Sequence, residues 1–94
     1  MSDLDGRVAL ITGAANGIGR ATAQVLAARG ASVVLADVDE AAAASTAELI
    51  GADDRVATVF ADVTLPNDVE MMIAFAVECF GRLDCACNVA GISV

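Results

Sequence analysis

A chain of 94 residues suits one small domain, and its 57% apolar fraction with mean hydropathy +0.70 excludes a disordered composition. His, Trp, Tyr and Lys are all absent, which removes Ser-His-Asp triads, histidine metal sites, tyrosine acids and lysine chemistry from these residues. Thirteen acidic residues against five arginines give a net charge of −8 and a pI near 4.1, so nucleic acid and anionic membranes rank low as partners.

The first residues, Met1-Ser2-Asp3-Leu4-Asp5, carry no basic segment of the kind that opens a signal peptide. The longest apolar run, Met71 to Val77, is too short to span a bilayer. Cys79, Cys85 and Cys87 do not suggest a disulfide framework, and a reducing cytoplasm is the expected home.

In chain order, Arg7 to Thr12 is an apolar run ended by Gly13 and predicts a buried strand. Ile18, Ala21, Val25 and Leu26 recur at helical spacing up to Arg29 and Gly30. A second strand is expected over Ser32 to Ala36, ending at Asp37, and an alanine-rich helix over about 40–50 with Gly51 behind it. Val56 to Ala61 predicts a third strand ending at Asp62. Val69, Met72, Ile73, Ala76, Val77 and Phe80 mark one apolar helix face, with Thr64 as N-cap, Pro66 in the first turn and Gly81 as the stop. Leu83 to Asn88 is the fourth predicted strand, with Cys85 and Cys87 on one buried face.

This βαβαβαβ order, with strands apolar on both faces, predicts an α/β fold: a Rossmann-type doubly wound parallel sheet with helices on both sides. The expected strand order is 3-2-1-4, because the ligand-binding signals fall on strands 1, 2 and 4. Residues 1–94 are expected to form a single partial domain that ends after strand 4. An apolar edge left on that strand would favour self-association.

Thr12-Gly13-Ala14-Ala15-Asn16-Gly17-Ile18-Gly19 lies between the first strand and the first helix. Gly13 permits a sharp turn off the strand, Gly17 lets a ligand approach the backbone, and Gly19 allows close helix packing. The helix start then offers amides and a positive dipole end to a diphosphate. Asp37, eighteen residues beyond Gly19, is placed to accept hydrogen bonds from ribose hydroxyls and to repel a 2′-phosphate. NAD is therefore the expected cofactor, ahead of NADP. A P-loop is excluded because Arg20 and Ala21 follow Gly19 where Lys and Ser/Thr would be needed. A methyltransferase fits less well, since the spacing from Gly13 to Gly17 is wider than its usual glycine cluster.

These residues resemble the short-chain dehydrogenase/reductase family. Thr12 to Gly19 match its Thr-Gly-x-x-x-Gly-x-Gly signature, Asp62-Val63 resembles its adenine-contacting pair, and Asn88-Val89-Ala90-Gly91 is similar to its Asn-Asn-Ala-Gly, with Val89 as the departure. The resemblance implies that Gly13, Asn16, Gly17, Ile18 and Gly19 form the diphosphate bed and that Asp37 holds the adenosine ribose. It further implies that Asp62 and Val63 meet the adenine, that Asn88 ties strand 4 to its neighbours, and that Ala90 and Gly91 pass close to the cofactor ribose.

The family transfers hydride between NAD and a secondary alcohol or ketone, using Ser, Tyr and Lys that come later than strand 4. No Tyr or Lys occurs here, so no catalytic or metal-binding residue is assigned and the 94 residues alone are expected to be inert. Ser93 reads as a loop residue. The intact protein is expected to be a homo-oligomer. The alternatives are a non-catalytic dinucleotide-binding or regulatory module, and an inactive gene fragment.

Overall fold

The computed structural model describes residues 3–14 and 17–88. Four strands, β1 (Val8–Thr12), β2 (Ser32–Asp37), β3 (Val56–Phe60) and β4 (Cys85–Asn88), alternate with α1 (Gly17–Ala28), α2 (Glu40–Ile50) and α3 (Pro66–Phe80). A short 3₁₀ turn over Asp53–Arg55 precedes β3. The sheet is parallel throughout, as the apolar runs predict, and its order β3-β2-β1-β4 is the one expected from the ligand-binding signals on strands 1, 2 and 4.

Period-two alternation divides the core. Ala9, Ile11, Val33 and Leu35 face α1 and α2, where they meet Ala23 and Ala27. Leu10, Val34 and Ala36 face the other way and pack on Met72 and Ala76 of α3. The buried helix positions are mostly alanines, so the helices lie close to the sheet and, Met72 of α3 apart, the long apolar side chains of the core come from the strands. Arg55 Nη1 donates to the Ala27 and Ala31 carbonyls at 3.1 and 2.7 Å, tying the end of α1 to the start of β2.

β1 and β4 are clamped at their N-terminal ends by Asp84. Its Oδ2 accepts from Val8 N–H at 2.8 Å, and its own N–H donates to the Val8 carbonyl at 2.9 Å. Arg82 lies 2.6 Å from the same carboxylate. The Arg82 hydrogen bond first, and then that from Val8, hold the Asp84 carboxyl below its ordinary value.

Four expectations are corrected. β1 starts at Val8, β3 ends at Phe60 and β4 starts at Cys85, each a shorter strand than the apolar run predicts. α3 is capped by Leu65 without a side-chain hydrogen bond; the Thr64 hydroxyl is drawn away to Asp62, 2.6 Å distant. On α3 only Met72 and Ala76 are buried, while Ile73 and Val77 remain exposed, because the described sheet is too narrow to cover the whole apolar face. Finally, the face of β4 expected to be buried is open. Cys85 and Cys87 do share a face, opposite Ala9 and Ile11, but Cys85 is exposed and Cys87 only half-buried. Among the described residues no helix is long and apolar enough to cross a membrane.

Candidate functional site

Parallel strands bring all their C-terminal ends to one edge of the sheet, so the residues singled out from distant parts of the sequence converge there. Thr12 and Asn88 are register partners at the ends of β1 and β4. The Thr12 hydroxyl donates to Asn88 Oδ1 at 2.8 Å, which locks the two strand ends together. Just beyond, Gly13 takes φ +71°, a conformation that side chains with a Cβ rarely adopt. This sharp bend lets Gly13 N–H donate to the Ala36 carbonyl of β2 at 2.9 Å.

The two glycines that open α1 stand in opposite surroundings. A Cβ built on Gly19 would lie 2.1 Å from the Gly13 carbonyl oxygen and 3.0 Å from Ala14 Cα. α1 therefore rests directly on the turn. Beyond its chain neighbours and its own helix backbone, a Cβ built on Gly17 meets none of the described residues within 4 Å, and Gly17 has no positive φ that would demand glycine. Neither packing nor backbone geometry among the described residues requires glycine at 17. An approaching ligand would. Ile18, beside it, is 69% exposed.

A cleft of about 190 Å³ opens between the ends of β1, β2 and β3, walled by Gly13, Asp37, Val38, Ala61, Asp62 and Val63. Asp37 is half-buried at its rim, and its Oδ1 accepts from Asp39 N–H at 2.9 Å. Asp39 in turn caps α2 by accepting from Ala42 N–H at 3.0 Å. On the far wall Asp62 Oδ1 accepts from both the N–H and the hydroxyl of Thr64, at 2.9 and 2.6 Å. The Thr64 hydroxyl bond, with the backbone bond behind it, keeps the Asp62 carboxyl below its ordinary range, so it is ionised at neutral pH.

The structure thus gathers Gly13, Gly17, Ile18, Gly19, Asp37, Asp62, Val63 and Asn88 along one edge of the sheet. Asn16, Ala90 and Gly91 lie outside the described residues, as do Val89 and Ser93. Three supporting residues escaped the sequence reading. Asp68, in the first turn of α3, accepts from Asp62 N–H at 2.9 Å and fixes the β3–α3 loop. Thr46 of α2 donates to the Ala14 carbonyl at 3.0 Å, and Arg20 of α1 donates through Nε to Thr46 at the same distance. The available signal was a hydroxyl three positions from Ala43, on the buried stripe of α2.

The cysteines offer no competing chemistry. Partial burial first, then the neighbouring Cys87 and Asp84, push the Cys85 thiol above its ordinary value and keep it protonated. No group of three or more metal-ligating side chains occurs among the described residues.

A family model described as short chain dehydrogenase matches residues 7–94. An uncharacterized oxidoreductase of Mycobacterium bovis is 47% identical over 90 residues, which make up 96% of this chain and 36% of that protein. The chain therefore spans little more than a third of that relative's length. Among solved structures, a short-chain dehydrogenase/reductase described as a glucose/ribitol dehydrogenase, from Brucella melitensis, superposes with a TM-score of 0.87 and 38% identity, covering 90% of this chain and 36% of that one. A short-chain dehydrogenase/reductase from Burkholderia phymatum in complex with NAD gives a TM-score of 0.83 and 41% identity, covering 92% and 31%.

Proposed function

The chain belongs to the short-chain dehydrogenase family, and from that premise we propose that residues 1–94 are the dinucleotide-binding part of an oxidoreductase that prefers NAD to NADP. The intact protein would move a hydride between the nicotinamide ring and a secondary alcohol or ketone. The observation that carries the cofactor reading is the open space at Gly17, beside a cleft rimmed by the Asp37 carboxylate.

Each residue has a separable task in this reading. The backbone from Gly13 to Gly19, with Asn16 and Ile18, would bed the diphosphate. A net charge of −8 repels an anion at long range, so the attraction must come locally from amides and the α1 dipole. Asp37 would accept from the adenosine ribose hydroxyls. Asp62 and Val63 would flank the adenine, the ionised carboxylate accepting from its amino group. Asn88 would hold the β4 end in place, and Ala90 and Gly91 would pass the ribose nearer the nicotinamide. When bound, the cofactor supplies hydride acceptance or donation; these residues bind and orient it.

Asp37→Ala tests the preference for NAD. The variant should bind NAD roughly 10- to 100-fold more weakly, since a charge-assisted hydrogen bond contributes about 1.5–3 kcal/mol. It should also lose most of its discrimination against NADP, because no carboxylate remains to repel the 2′-phosphate. Titration calorimetry with both cofactors reads this directly, and unchanged affinities would remove the ribose role.

A second reading is a binding module without catalysis; within residues 1–94 no Tyr, Lys or His is present to transfer a proton. The purified chain should accordingly bind NAD without oxidising a panel of secondary alcohols. A steady NADH signal from that panel would contradict this. The unpaired cysteines support a reducing, cytoplasmic setting, and the β4 edge, which pairs with no further strand among the described residues, supports self-association of the isolated chain.

A further inference from the structure

We propose that Thr46 is a positioning residue for the diphosphate turn: its buried hydroxyl fixes the Ala14 carbonyl, and Arg20 aims that hydroxyl. The inference rests on the cofactor reading above and adds a residue from α2, an element outside the glycine signature. Two buried polar side chains occur among the described residues, Thr12 and Thr46. Both flank the same turn. Burying a hydroxyl is costly unless it is hydrogen-bonded, and here Thr12 secures the strand entering the turn while Thr46 secures the turn itself.

A buried helical threonine ordinarily bonds back to the carbonyl four residues earlier. That contact exists, to Ala42 at 3.3 Å, but the turn carbonyl of Ala14 is nearer at 3.0 Å. Arg20 Nε donates to the same oxygen at 3.0 Å, which fills one acceptor direction and leaves the hydroxyl proton facing the carbonyls. The turn is then held on three sides. Gly13 N–H is bound to Ala36 of β2, the Gly13 carbonyl lies against Gly19 of α1, and the Ala14 carbonyl is bound by Thr46 of α2. With the Ala14 carbonyl fixed against α2 and Gly19 seated on Gly13, the start of α1 is held in one position, and a diphosphate meeting the Gly17–Gly19 backbone need not place it.

The adenosine cleft is walled mainly by the ends of β2 and β3 and receives only Gly13 from the turn. Loss of the Thr46 hydroxyl should therefore weaken diphosphate binding and spare adenosine. The test measures ADP and adenosine affinities, by NMR titration, in the 94-residue chain carrying Thr46→Val, which keeps the shape, or Thr46→Ser, which keeps the hydroxyl.

Thr46→Val should bind ADP about tenfold more weakly, the effect of losing one buried hydrogen bond, with adenosine changed less than about twofold. Thr46→Ser should restore ADP binding to within about threefold of the parent. If Thr46→Val does not fold, Thr46→Cys, with a weak donor of similar size, should lower the ADP-to-adenosine affinity ratio. An unchanged ratio in the folded variants overturns the positioning role and leaves the cofactor reading standing. A parent chain that binds ADP no better than adenosine overturns both.

Discussion

Gly19→Ala should cost at least about 3 kcal/mol of stability, at the upper end of what overpacking a protein interior does. The reason is what the new methyl would strike. All three of its nearest neighbours are backbone atoms, Gly13 O at 2.1 Å, Gly13 C at 2.8 Å and Ala14 Cα at 3.0 Å. A flexible side chain could swing aside; a strand end and its turn cannot. Alanine's better helix propensity offsets only about 0.5–1 kcal/mol. A chain of this length has roughly 5–14 kcal/mol of stability in all, so the loss should appear as a large fall in the urea midpoint. α1 would also have to lift off the turn, carrying its first-turn amides away from the diphosphate. A loss below about 1 kcal/mol would mean that helix and turn separate easily and that their close approach is not needed.

Gly17→Ala should do the reverse to stability and the same to binding. Among the described residues, nothing beyond its chain neighbours and its own helix backbone lies within 4 Å of the new methyl, and the residue's φ is not positive, so the fold should accept it without strain. Replacing glycine at such a position gains up to about 1 kcal/mol by restricting the unfolded chain. On the proposed cofactor reading, the methyl would nevertheless occupy the space through which a diphosphate reaches the backbone. NAD affinity should fall by roughly 10- to 100-fold, the equivalent of about 1.4–2.8 kcal/mol of steric conflict. A melting temperature held or raised together with lost binding would separate a ligand-facing glycine from a packing one. Retained NAD affinity would mean that no diphosphate passes Gly17.

This contrast also shows where sequence reading stops. Gly13, Gly17 and Gly19 are equally visible in the sequence, and the motif assigns them different tasks by analogy. Only coordinates show one pressed against backbone and another facing open space. Asp62 and Asp68 make the same point: each is legible as an acid beside a helix start, but their bond through Asp62 N–H is a property of the folded loop. For α3, the periodic apolar face is real, yet periodicity cannot count how much neighbouring surface exists to cover it. Ile73 and Val77 stay exposed for that reason.

The order of elements, the parallel sheet and the edge at which the motifs gather are legible in the residues alone. These follow from local facts: apolar runs long enough for strands, glycines that end them, and a handedness that fixes where each crossover returns. Which side chains meet is fixed only by the folded chain. Thr46 and Ala14 are 32 residues apart, and Thr12 and Asn88 are 76 apart. A hydrogen bond forms only within about 3 Å, and distances across a sheet are set by packing, not by position along the chain.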